Sequence, residues 1–203
     1  MVRFRIKDKD KYYNLPTKVS ELDTKTFLRL QEVAQKESTD EIDLACALCD
    51  AERIDFINLS GKDLKLIQEA TAFVFQIVPT FSDNKSNSFT RNTGEKIVIN
   101  VDFEKMQFGQ RVEINSIIKR YKEDNPSLVI AIISVLLAPY IYPHDDWTKE
   151  LTAIEEEIKI TPAEVSIPFF NFFLSNSFSL KNTIKAWLYS QKILFHSKRT
   201  AKN

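Results

Sequence analysis

The sequence predicts an α+β fold that is predominantly α-helical, with two short β-hairpins in the first half and a helical bundle in the second half. Three observations predict it. Val2, Phe4 and Ile6 alternate with Arg3, Arg5 and Lys7, the period of two of a half-buried strand. Ile97, Ile99, Val101 and Phe103 alternate in the same way. From Phe108 onward the apolar residues return at spacings of three and four, as on a helix packed along one side.

Asp8 to Lys11 is a polar turn, and Tyr12 to Leu15 returns as a second strand before Pro16, which completes an N-terminal hairpin. Asp23 or Thr24 caps a helix that carries Phe27, Leu30 and Ala34 on one face. Ser38 and Glu41 have the spacing of a capping box before Ile42, Ala45 and Cys49. Ser60 and Asp63 repeat it more loosely before Leu64, Ile67 and Val74. Phe75 to Phe81 is β-like and interrupted by Pro79, and Ser82 to Glu95 is polar. Residues 75–103 therefore read as a second hairpin with a long tip at 81–96. Loops of that length are usually functional or disordered.

In the second half, Ile114, Ile117, Ile118 and Tyr121 share a helical face. Asn125-Pro126 opens an apolar helix over 126–138, which Pro139 stops. Trp147, Leu151, Ile154 and Ile158 mark an amphipathic helix with Glu155, Glu156 and Glu157 on its polar side. Thr161-Pro162-Ala163-Glu164 is a helix start, with cap, N1 proline and N3 glutamate. Phe169, Phe170, Phe172 and Phe173 then face both sides, as in a helix buried between neighbours. A last helix is expected from about Ser179 to Phe195, before a basic C-terminal end. The change of character near 103–108 divides the chain into an α+β domain, 1–105, and an all-helical domain, 106–203.

Composition narrows the function. The 203 residues suffice for a sizeable core without disulfides or metals. Lys+Arg and Asp+Glu both number 28, which argues against a dedicated nucleic-acid binder. The charge is unevenly placed, with nine acidic and three basic residues over 37–69. Residues 165–203 hold six basic residues, among them Lys192, Lys198 and Arg199, and no acid. A molecule polarised in this way is suited to head-to-tail stacking or to docking on a charged surface. Met1 to Lys11 has no apolar segment of a signal peptide. The apolar run Leu128–Tyr142 is shorter than the roughly 20 residues of a bilayer span. An intracellular chain with reduced cysteines is the expectation. The three glycines are scattered, so no Gly-rich loop is available to cradle a phosphate.

The candidate chemistry is sparse. Cys46 and Cys49 form a C-x-x-C, but both fall inside an expected helix in acidic surroundings that raise a thiol pKa; small core residues one turn apart is the reading. His144, Asp145 and Asp146 are adjacent, and adjacent residues rarely converge on one ion, so they read as loop and helix cap. Glu155, Glu156 and Glu157 read as a solvated face, and His196 as a solvated side chain. Neither a catalytic constellation nor a cofactor or metal site is expected. Two surfaces remain as candidates for contact. The 81–96 tip, with Phe81, Phe89 and Arg91, reads equally as a set of interface anchors or as a disordered loop with a covered Phe. The 165–203 region, with Lys192, Lys198 and Arg199, reads first as a core helix pair with a basic outer face, and alternatively as a binder of nucleic acid or another anionic partner.

Several segments resemble a known group. The N-terminal hairpin, the Val19-Ser20-Glu21-Leu22 turn into a helix with Phe27 and Leu30, and Asp40-Glu41-Ile42-Asp43-Leu44 at the start of a second helix resemble small proteins of tailed bacteriophages, especially crAss-like and other phages of Bacteroidota. Met106-Gln107-Phe108-Gly109-Gln110-Arg111-Val112-Glu113-Ile114 is similar to their FGQ-hydrophobic-acidic helix start. Leu136-Leu137-Ala138-Pro139-Tyr140 resembles their LY-x-P helix stop, although Ala138 stands where a polar or basic residue is expected. The Thr161-Pro162 helix with Phe169-Phe170 resembles their Phe-Phe helix. The resemblance implies a non-enzymatic virion or tail-assembly protein: a tail or neck subunit, or a tail-assembly chaperone. Its partners would be other phage virion and tail proteins and further copies of itself, met in the host cytoplasm during assembly and, for a subunit, in the virion. The resemblance supplies no catalytic residues.

Overall fold

The computed structural model describes residues 1–6, 11–34, 36, 39–56, 59–74, 84–99, 106–121, 127–143 and 146–176. The fold is mostly helical α+β. Strands β1 (Val2–Ile6) and β2 (Lys11–Leu15) form an antiparallel hairpin in which Val2 faces Leu15 and Phe4 faces Tyr13. On β2 the alternation is clear: Tyr13 and Leu15 are buried and Tyr12 is exposed.

Helix α1 (Thr24–Ala34) starts where the Asp23 carboxylate accepts the Thr26 N–H at 2.7 Å, and it buries Phe27, Leu28 and Leu30. Helix α2 (Glu41–Cys49) starts two residues later than the expected Ser38 cap. Asp40 and Asp43 supply the capping box instead, each carboxylate accepting the other's backbone N–H, at 2.9 and 3.3 Å. Arg53 bonds both carboxylates and holds them in place. Helix α3 (Gly61–Thr71) begins as expected, with the Ser60 hydroxyl accepting the Asp63 N–H.

The second hairpin differs from its expectation. Strands β3 (Ser88–Thr90) and β4 (Lys96–Val98) lie inside and just beyond the segment read as a polar tip, and the turn spans only Arg91 to Glu95. Gly94, at φ 85°, supplies the left-handed residue that closes this turn. The polar sequence hid a strand because one large apolar side chain, Phe89, is enough to anchor three residues.

Helices α4 (Phe108–Arg120), α5 (Ser127–Ile141), α6 (Leu151–Ile160, preceded by a 3-10 turn at Trp147–Glu150) and α7 (Ala163–Asn176) form the second half. The expected helix over 179–195 lies outside the described residues. Every residue of α5 from Leu128 to Ala138 is buried. No described helix is long and apolar enough to cross a membrane.

Pro139 does not end α5, which continues to Ile141. A proline inside a helix leaves the carbonyl four residues earlier without its N–H donor, here that of Val135. The Gln110 side chain donates its Nε2 to that carbonyl at 3.0 Å from within the core, while its Oε1 accepts the Gln107 N–H at the start of α4. One amide therefore makes good the bond that Pro139 removes and helps to cap its own helix.

The described residues of 1–105 and of 106–203 share one apolar core, with α1 lying on α6 and α7 and β3 lying on α7.

Gln110→Leu is expected to destabilise the fold by about 1–3 kcal/mol, because the buried Val135 carbonyl is left unpaired. In a Pro139→Ala background the restored backbone N–H serves that carbonyl, so the same substitution should cost less. Urea denaturation of the four proteins of this cycle measures the difference; an equal cost in both backgrounds would refute the pairing.

Candidate functional site

The β3–β4 hairpin is placed by its apolar side and locked by its turn. Phe89 is buried with its ring edge-on to Phe169, centroids 5.5 Å apart. Ile97 and Ile99 are buried beside it in the same core. The backbone is tied to α7 at two points: the Ser86 N–H donates to the Pro168 carbonyl at 3.0 Å, and the Asn171 amide donates to the Asn84 carbonyl at 3.2 Å.

Arg91 reaches across the turn to α6. Its Nε and Nη2 hold the Glu157 carboxylate at 3.1 and 2.8 Å, and its Nη1 holds Glu95 at 2.9 Å. Both Arg91 and Glu157 are only 18% exposed. The two carboxylates, Glu157 above all, hold the guanidinium firmly in its charged form. Asn92 adds a side-chain bond to the Glu157 carbonyl at 3.2 Å. Such a fork-to-carboxylate pair is geometrically specific and is stronger than an exposed ion pair.

This arrangement corrects two sequence readings. Phe89 is not an exposed anchor but a core residue, and Arg91 is engaged within the chain. Glu157, read as part of a solvated face, is instead the acceptor that fixes the hairpin. Only Glu156 of the three follows that reading plainly, exposed and paired with Lys159 at 2.6 Å. Burial pushes the Glu155 carboxyl above its ordinary value. The Arg91–Glu157 contact spans 66 positions, so no local pattern announces it.

Phe81, Lys192, Lys198 and Arg199 lie outside the described residues, as do His144, Asp145 and His196. The described part of the 165–203 region is α7, which contains no basic residue and buries Phe169, Phe170 and Phe173. Asp146 is exposed, and bonds from the Thr148 hydroxyl and Lys149 keep its carboxyl below the ordinary value. Among the described residues, no group of three or more His, Cys, Asp or Glu converges as metal ligands.

Cys46 and Cys49 are free and half-buried on α2. Burial, with Asp43 nearby, pushes the Cys46 thiol up to about 11. Burial, with Cys46 beside it, pushes Cys49 up to about 12. Both are therefore thiols at neutral pH, the opposite of an activated nucleophile.

A different surface stands out. Phe108, the first residue of α4, is 81% exposed. Val112, one turn on, is 49% exposed, and Tyr140 in the last turn of α5 is 46% exposed. The Gln110–Val135 bond sets the start of α4 beside the end of α5, so these residues occupy one end of the helix pair. The Trp147 ring lies against Gly109 there, 3.5 Å from where a Cβ would stand. Ile54 at 56% and Leu66 at 41% are exposed in the acidic 37–69 stretch.

No family model, curated protein or solved structure matches this chain. The functional reading therefore rests on the chain's own residues.

Arg91→Ala is expected to destabilise the protein by roughly 1–3 kcal/mol, since it strands the half-buried Glu157. Amide hydrogen exchange should rise over 84–99 first; unchanged protection there would show that the clamp contributes nothing. The cysteines supply a second test. Folded thiols hold their protons to higher pH than unfolded ones. Their contribution to stability is thus intact below the ordinary value of 9.0 and is lost as pH rises from there through about 11 to 12. At pH 8, alkylation of the folded protein should run at least about tenfold slower than that of the urea-unfolded chain. Equal rates would contradict the assigned thiols.

Proposed function

We propose that this chain is a non-enzymatic structural or assembly protein of a tailed bacteriophage, a tail or neck subunit or a tail-assembly chaperone, that acts through protein–protein contacts in the host cytoplasm during assembly. The observation that carries the reading is the use made of the Phe108-Gly109-Gln110 segment, one of those that resemble the phage group. Gln110 is buried and serves the fold, whereas Phe108 is 81% exposed at the head of the same helix. Among the described residues, nothing covers this large apolar side chain. Beside Val112 and Tyr140 it has the character of an interface anchor, an aromatic residue in an apolar setting rimmed by polar groups.

The test is mass spectrometry of purified virions together with capture of tail and neck proteins by the recombinant chain. The chain is expected in particles, or in complex with a tail protein. Phe108→Glu should weaken that capture at least about tenfold without altering the circular dichroism spectrum. Absence from particles combined with failure to capture any tail protein would end this reading.

A further inference from the structure

We draw no further inference here: the strongest candidate, the exposed apolar face of Phe108, Val112 and Tyr140 at one end of the α4–α5 pair, belongs to the site already described, and nothing in the structure shows what covers it.

Discussion

The carbonyl of Thr161 is the point on which the two halves of this molecule meet. It accepts the Thr24 N–H at 2.9 Å, and the Thr24 hydroxyl lies 2.8 Å from it. That hydroxyl is also 2.7 Å from the hydroxyl of Ser166. Ala163 donates its N–H to the Leu22 carbonyl at 2.9 Å, and Asp23 and Pro162 pair as a short antiparallel bridge. Thr24, Thr161 and Ser166 are all fully buried, so each polar atom there must find its partner inside the chain. The starts of α1 and α7 are thereby set against each other. Arg91 and Asn92 reach the same corner from the hairpin through Glu157.

A second polar constraint acts at the other end of the core. An α5 that is apolar all round can be buried on all sides, but its proline leaves a carbonyl that apolar neighbours cannot satisfy. Gln110 resolves this, and in doing so it orients α4 so that Phe108 and Val112 face solvent. The exposed apolar end of the helix pair is thus a consequence of an internal hydrogen bond, which links the packing of the core to the surface proposed to act.

Local signals were legible wherever the partner of a residue lies within a few positions. The strand over Val2–Ile6, the Ser60 start of α3, the spacing of Ile154 and Ile158 and the Phe-rich α7 all appear as read. The capping box of α2 was displaced from Ser38 to Asp40 because two aspartates three apart satisfy each other and share Arg53. The β3–β4 hairpin was misplaced because its stability comes from Phe169 and Glu157, which are distant in sequence. The same distance hid the role of Glu157 and turned Phe89 from a surface candidate into a core residue. Phe108 was read only as part of a motif, although it stands about half a turn round α4 from buried Ile117.

By itself, the sequence determined the mostly helical class, the N-terminal hairpin, the thiol character of Cys46 and Cys49, and the balance of charge, because periodicity and composition act locally or as totals. Tertiary structure alone decided which residues lie inside and which outside. It joined the two halves through Thr24 and Thr161, carried α5 through Pro139 with the help of Gln110, and drew Arg91 inward to Glu157. Each of these depends on a hydrogen-bond partner brought close only by packing, and burial makes that partner obligatory.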